Sequence, residues 1–444
     1  MGRTAISLLC LLALGCTNQD PQASARGDAP EAKPDPSPTA AGDQPEWKRT
    51  RRKPVEVVRE DLLADDLPPA PRLEALTLTA SREGSFAFPE GSDELAPRAA
   101  VALRGGLLLA GQAYLDRRPG PPPASWRWLG FAPSAGDGAP ASTSTKFEPG
   151  AIRAAAADGQ GGALLCGTSG IGFDVRGWFG VVNEQAQLGL DVGLDTPNST
   201  ELFDVLSGHA TGELAVMTGY VDAQAWLVSL DQKGEQRWQK YVGSYGYTQA
   251  RAFARLDGAR GDLLTIGTRA QGFGESWWAI VPGDGGDQAG SGDVTQDKLS
   301  IAGADEHQML RAIVDVGEAG FIALGTAKRN HVQAHDQPLA VGFGRDGAVL
   351  WSRALDEVRI SGVSGGRGKP GAGLFVVDVP GADPEAPSAL ALLEVSATAS
   401  SARELAGSAG WSSAGFIEGQ DQAAVVSYEP SATGIVWREL PIPG

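Results

Sequence analysis

The sequence predicts an all-β protein, and three observations carry that prediction. After residue 75, no stretch of about twelve residues keeps a 3.6-residue apolar period. Sixty glycines and 29 prolines punctuate short apolar runs, as strands and tight turns require. One short pattern, an apolar run ending in glycine, recurs at nearly constant spacing.

The chain opens on a different kind of segment. Arg3 provides a positive start and Ala5 to Leu14 form an apolar stretch (AISLLCLLAL) that Gly15 and Cys16 follow directly. A bilayer-spanning helix needs about 20 residues, so this stretch fits the core of a signal peptide, residues 1–15. The pattern resembles the lipobox of bacterial lipoproteins. That resemblance implies that the Cys16 thiol receives a diacylglyceryl group and becomes the mature N-terminus, with each buried CH₂ contributing ~0.8 kcal/mol to membrane anchorage. Thr17, where an aspartate would signal retention, points to the outer membrane. Residues 16–74 then read as a disordered tether, dense in Pro, Ala and charged residues and poor in aromatics. KRTRRK at 48–53 reads as a solvated charge run within it.

From residue 75 the repeats begin. The recurring runs are LLLAG (107–111), ALLCG (163–167), AVMTG (215–219), LLTIG (263–267) and FIALG (321–325), with degenerate copies FVVDVPG (375–381) and GFIEG (415–419). Each is followed by a second apolar run, carrying tryptophan in the first four: SWRWLGF, GWFGVV, AWLVSL and SWWAIV. Three copies then turn through a glycine to Trp238, Trp351 or Trp437, glycine supplying the positive φ of a hairpin. A small-residue strand precedes each anchor, as in IRAAAAD at 152–158. Each unit therefore reads as four strands: small, apolar-to-Gly, aromatic, Gly-to-Trp.

Four-stranded units of this length, in seven copies, resemble the blades of a β-propeller, with six or eight blades as alternative counts. The small strands would line the axis, and LTLTA at 76–80 would complete the last blade and close the ring. The repeats are similar to the degenerate propeller repeats of lipid-anchored bacterial proteins, and more loosely to pyrroloquinoline-quinone-type blades, best at Leu230-Asp231, Gly234 and Trp238. The vicinal cysteine pair of quinone-dependent dehydrogenases is absent, so no cofactor is expected. The scaffold subunit of the outer-membrane β-barrel assembly machine is a lipid-anchored relative by fold and anchor alone.

The chain carries 54 acidic and 37 basic side chains, a net charge of −17, which argues against a nucleic-acid partner. Of three cysteines, Cys10 leaves with the signal, Cys16 is acylated and Cys166 reads as a buried, inert thiol. His331, His335 and Asp336 share a loop without further metal ligands, and Asp284, Asp287 and Asp293 fit no established calcium loop, so no metal is expected. No G-x-S-x-G elbow or histidine-based triad appears.

One charged pattern recurs. The presumed first strands open with Arg-Ala at Arg98, Arg153, Arg251 and Arg311, with Arg359 a fifth candidate and Glu201 in the unit that breaks the series. Equivalent positions in a ring lie at one height, so the four arginines are expected at one mouth of the channel, as an axial anion site or as locks between blades. The expected function is a membrane-anchored, non-catalytic binding or scaffold module of the cell envelope, with an envelope protein or polysaccharide as partner. The alternative is an envelope hydrolase, lyase or oxidoreductase using loop carboxylates.

Overall fold

The structure is a computed structural model. It describes residues 72–442 apart from 115–124, 135–141, 171–173, 197–198, 223, 244–247, 259, 272, 285–294, 300–307, 328–336, 382–385 and 419–421. The signal segment, Cys16 and KRTRRK lie outside the described residues. Among the described residues, no helix is long and apolar enough to cross a membrane.

Two short strands, β1 (Glu74–Leu76) and β2 (Arg82–Ala87), precede the repeats. The first two units share a sheet: β3 (Glu94–Leu103), β4 (Gly106–Tyr114), β5 (Ser125–Pro133), β6 (Thr143–Ala157), β7 (Ala163–Ser169), β8 (Arg176–Val182) and β9 (Leu188–Gly193). Then come β10 (Thr200–Ser207), β11 (Glu213–Val221), β12 (Gln224–Asp231) and β13 (Gln236–Val242) in one sheet, and β14 (Thr248–Arg255), β15 (Leu263–Gln271), β16 (Phe273–Val281) and β17 (Thr295–Leu299) in the next. They are followed by β18 (Gln308–Asp315), β19 (Phe321–Ala327), β20 (Gln337–Phe343) and β21 (Val349–Ala354). The C-terminal part holds β22 (Gly362–Lys369), β23 (Ala372–Val379), β24 (Ala389–Ser396) and β25 (Ser400–Leu405), then β26 (Ser412–Glu418), β27 (Ala423–Ser431) and β28 (Gly434–Pro441).

The first strands of the units touch in a closed circuit. β3 packs on β6, β6 on β10, β10 on β14, β14 on β18, β18 on β22, β22 on β26, and β26 returns to β3. The fold is an all-β propeller, as expected. Its hydrogen bonding corrects the expectation of seven separate blades: among the described residues five sheets stand alone, and the sixth carries seven strands. The cause is β6, whose residues 143–149 pair with β5 while residues 150–157 pair with β7, so one strand leaves a unit and enters the next without a break.

The last repeats also differ from the expected assignment. GFIEG begins in β26, a first strand, rather than on a second one; β27 is the second strand and Trp437 lies on the third, β28. The fourth strand comes from the other end of the chain, as a closing ring requires, but it is β2, paired antiparallel to β28, and not LTLTA. Leu76 ends β1, which instead adds in parallel to β25 of the preceding sheet. Phe86 of the closing strand is 1% exposed and sits 5.6 Å from Trp128 of the first unit and 6.1 Å from Trp437 of the last. Burying that ring contributes about 2 kcal/mol to the seam.

The core is distributed between units rather than inside one. Each buried cluster draws side chains from two neighbours: Leu164, Phe179, Met217 and Trp226 pack together, as do Ile266, Trp278, Leu339 and Phe343. Arg127 of β5 crosses a similar boundary. It is 1% exposed, stacks 4.4 Å from the Trp178 ring, and reaches Asp191 at 3.2 Å and Glu148 at 3.5 Å. Arg127→Ala is expected to lower stability by about 3 kcal/mol, and Arg127→Met to recover roughly half by refilling the slot. Urea midpoints check both, and equal losses would show that charge rather than packing holds this joint.

Candidate functional site

The first strand of every unit skips one residue in its pairing with the second. The register jumps between Pro97 and Ala99, Ile152 and Ala154, Leu202 and Asp204, Ala250 and Ala252, Leu310 and Ala312, Val363 and Gly365, and Ser413 and Gly415. The bulged residues are Arg98, Arg153, Phe203, Arg251, Arg311, Ser364 and Ala414. A bulge unpairs its extra residue and re-aims the side chain, and here it does so at equivalent places around the circuit. All four sequence-identified arginines are bulge residues. The unit that breaks the series does so at Phe203, not at Glu201, and Arg359 is no fifth member: it precedes β22 and is buried, while Ser364 occupies the equivalent position.

Three of the arginines act on one another: Arg251 feels the charges of Arg311 and Arg153. Arg153 Nε lies 2.6 Å from Glu201 Oε1 on the next first strand. The Arg251 guanidinium stacks 3.9 Å from the Phe203 ring centre and donates to Gln249 Oε1. Among the described residues Arg251 forms no ion pair. Burial, then the like charge of Arg311 and that of Arg153, against the opposing pull of Glu201 and Tyr220, hold it down to about 10. Tyr220 stands opposite Glu201 in the register and 5.7 Å from Phe203. Burial and the Glu201 charge push its hydroxyl up against a hydrogen bond with Ser199 and the charges of Arg251 and Arg153, so it stays a neutral donor.

Arg98 lies on β3, which packs on the Arg153 strand β6 and on β26. Its charge acts on Asp378 of β23 and on Tyr428 of β27, whose hydroxyl donates to Pro97 O at 3.1 Å. Burial pushes the Asp378 carboxyl up, opposed by the Ser364 hydroxyl at 3.3 Å and by Arg98.

Asp204 follows the Phe203 bulge where other units carry Ala99, Ala154, Ala252 and Ala312. Its Oδ1 accepts from Val205 N at 2.9 Å and its Oδ2 from Phe253 N of the neighbouring first strand at 3.3 Å. Burial outweighs both bonds and lifts this carboxyl to about 7. Burial and the Asp204 charge also raise the Cys166 thiol well above its ordinary value, which keeps it protonated and inert.

His307, His331, His335, Asp336, Asp287 and Asp293 lie outside the described residues. His209 lies in the loop after β10, its backbone N–H donating to Glu213 Oε2 at 2.7 Å. Among the described residues no three His, Cys, Asp or Glu side chains gather as metal ligands. A half-open cavity of about 430 Å³ sits at the ring seam, lined by Leu78, Arg82, Leu405, Trp411 and Arg438. Its cations are already engaged: Arg82 by Glu439 at 3.7 Å and Arg438 by Glu83 at 3.8 Å.

Sequence reasoning missed Phe203, Tyr220, Asp204 and Asp378. Phe203-Asp204 replacing Arg-Ala was a visible departure, but it required knowing which residue the bulge releases. Tyr220 and Asp378 sit on second strands, and only folding brings them to the inner strand.

No family model matches the chain, and no curated protein matches it at a significant level. Solved structures do. The β-propeller domain of the trilobed protease from Pyrococcus furiosus is 9% identical with a TM-score of 0.44, covering 80% of this chain and 97% of that one. The polysaccharide lyase Uly1 is 9% identical with a TM-score of 0.48, covering 87% and 96%, and a Synechocystis apocarotenoid oxygenase variant is 13% identical with a TM-score of 0.45, covering 84% and 96%. These are likenesses of fold between chains of different activities.

Proposed function

We propose that this chain is a lipid-anchored, non-catalytic binding module of the cell envelope, a rigid ring that takes an anionic ligand or partner at its inner strands. The observation that carries the reading is the convergence of Arg153, Arg251 and Arg311, released by equivalent bulges and close enough for Arg251 to respond to both others. Clustered guanidiniums inside a body of net charge −17 focus positive potential where an oxyanion can sit. Arg98, on the strand beside that of Arg153, also acts on Asp378. A ring of seven units is supported by the closed circuit of first strands and by counting the shared sheet as two units meeting in β6.

The anchor rests on Cys16 and its apolar leader. Wild-type protein is expected to incorporate a palmitate analogue and to fractionate with outer membranes; Cys16→Ala should lose the label and turn soluble, and label retained by the variant would remove the lipoprotein assignment. The full-length Cys16→Ala chain is then the bait for an affinity capture of envelope proteins and polysaccharides. Arg153→Gln combined with Arg311→Gln should release captured acidic components, and unchanged capture would leave these arginines a structural role only.

A second reading has one observation in its favour. Asp204, with a carboxyl near 7 on an inner strand, has the poise of a general acid or base in an envelope hydrolase or lyase. Turnover of acidic polysaccharides by the wild type, abolished in Asp204→Asn, would favour it.

A further inference from the structure

We infer that the ligand at the inner strands is a sugar acid, held through its one carboxylate by Arg251 and through its ring hydroxyls by Tyr220 and Glu201. This rests on the binding-module reading above and gives its ligand a chemical class.

Arg251 is fixed from two sides. The Phe203 ring covers one face of the guanidinium at 3.9 Å, and Gln249 Oε1 accepts from a terminal nitrogen. Its Nε is enclosed by protein and has no hydrogen-bond partner. A stacked guanidinium keeps its donors in the plane of the fork, so with Nε enclosed the terminal nitrogens are the ones offered to a ligand. That end is a single fork, and a single fork matches one planar carboxylate. The fork asks nothing of Arg311, which has an interaction of its own and acts here only as a like charge.

Glu201 then limits the charge of the ligand. Its carboxylate pairs with Arg153 at 2.6 Å, is 18% exposed, and bears on Arg251 as well. A dianion on the Arg251 fork would bring a second negative charge toward this carboxylate, whereas the guanidinium balances a single one.

The groups around the fork suit hydroxyls rather than further charges. Tyr220, held neutral and hydrogen-bonded with Ser199, donates without adding charge. Glu201 accepts a hydroxyl proton. The Phe203 and Tyr220 rings, 5.7 Å apart and tilted by 31°, give the site an apolar side for the C–H face of a sugar ring. Phe203, Tyr220, Gln249 and Arg251 are each half-buried, so solvent reaches all four. An acidic peptide side chain also carries one carboxylate, but it has no hydroxyls for Tyr220 and Glu201 and would use the fork alone.

The test is calorimetric titration of the full-length chain, in mild detergent at pH 7, with glucuronate, glucose, acetate, sulfate and a tetraglutamate peptide at matched ionic strength. Glucuronate is expected to bind about tenfold tighter than glucose, which lacks the carboxylate, and about tenfold tighter than acetate, which lacks the hydroxyls. Sulfate should bind no better than acetate. Arg251→Gln should weaken glucuronate about tenfold and leave glucose unchanged, and Arg251→Lys should recover only part of that loss because it restores charge without the fork. Tyr220→Phe should weaken glucuronate about threefold without moving acetate. Glu201→Gln should raise sulfate binding about fivefold by removing the opposing charge, while glucuronate stays within about twofold. Arg311→Gln should weaken glucuronate less than about threefold, through potential alone. Glucose, acetate or tetraglutamate binding as tightly as glucuronate, equal losses from Arg311→Gln and Arg251→Gln, or no glucuronate binding at millimolar concentration overturns the proposal. Tyr220→Phe and Glu201→Gln keep it decidable if Arg251→Gln fails to fold. Glucuronate binding with no envelope component captured removes the envelope reading alone. Capture that depends on Arg153 and Arg311, without glucuronate binding, keeps that reading and removes the sugar acid.

Discussion

Gly267→Ala is expected to cost about 4 kcal/mol of folding stability, more than any single surface change in the ring. The reason lies in the bulge. Gly267 pairs with Ala250, the residue before Arg251, and the extra residue swings the Gln249 carbonyl across the Gly267 Cα. A Cβ there would lie 1.9 Å from that oxygen. The obstacle is backbone held by the sheet, so no rotamer change relieves it and the whole first strand must shift. The same clash recurs at Gly111, Gly167, Gly219 and Gly325, at 2.2, 2.0, 2.0 and 1.9 Å. Gly212→Ala is the control, a turn with φ of 79° and open space around it, where only backbone strain of about 1 kcal/mol is expected. Urea denaturation followed by tryptophan fluorescence separates the two. A loss below about 1 kcal/mol at Gly267 would mean that the bulge does not dictate the anchor glycine.

That mechanism explains why much of the fold was legible. An apolar run ending in glycine is what a central strand must show when it packs on both faces and passes beneath a bulged neighbour. The signal failed where the glycine moved. In the last two units Val377 and Ser427 stand opposite the bulges, and the small residues are Gly365 and Gly415 on the first strands. The Cα of Gly415 lies 3.3 Å from where a Gly365 Cβ would be, so adjacent first strands approach closely there. FVVDVPG was therefore recognised on the right strand with the wrong anchor, and GFIEG on the wrong strand. The closing strand was illegible for a related reason. REGSFA buries one large side chain, Phe86, whereas LTLTA has the alternation of a good strand and spends Leu76 and Leu78 on the seam.

The site was half legible. The recurrent Arg-Ala marked a repeated position, and repetition around a ring makes equivalent heights a sound inference. Which arginines converge was not readable, because it depends on second-strand residues with no repeat signature. Glu201 engages Arg153, Phe203 orients Arg251, and Asp378 draws the Arg98 charge. A pattern shared by units gives position; the departures from it decide partnership.

The sharpest departure carries the last prediction. Asp204→Asn is expected to stabilise the protein by about 2 kcal/mol at pH 8 and to remove a fall in stability between pH 4 and 7. The folded chain raises this carboxyl from 3.8 to about 7, burial being the cause. Between those values the native state keeps a proton that the unfolded chain has released. Native protons exceed unfolded ones, so stability declines as pH rises through the window, and above about 7 the full penalty of the ionised form remains. A shift of this size corresponds to about 4 kcal/mol, and the water that a half-buried side chain still meets reduces it to about half. Asparagine keeps a carbonyl oxygen for the Val205 or Phe253 amide and never ionises. It also removes one of the two influences that hold up the Cys166 thiol, but burial is the larger, so Cys166 should stay unreactive toward thiol reagents. Thermal unfolding of both proteins from pH 4 to 8 makes the comparison. Parallel profiles would show that Asp204 stays ionised throughout, and the proton would then have to be sought at Asp378, the other inner carboxyl that burial raises.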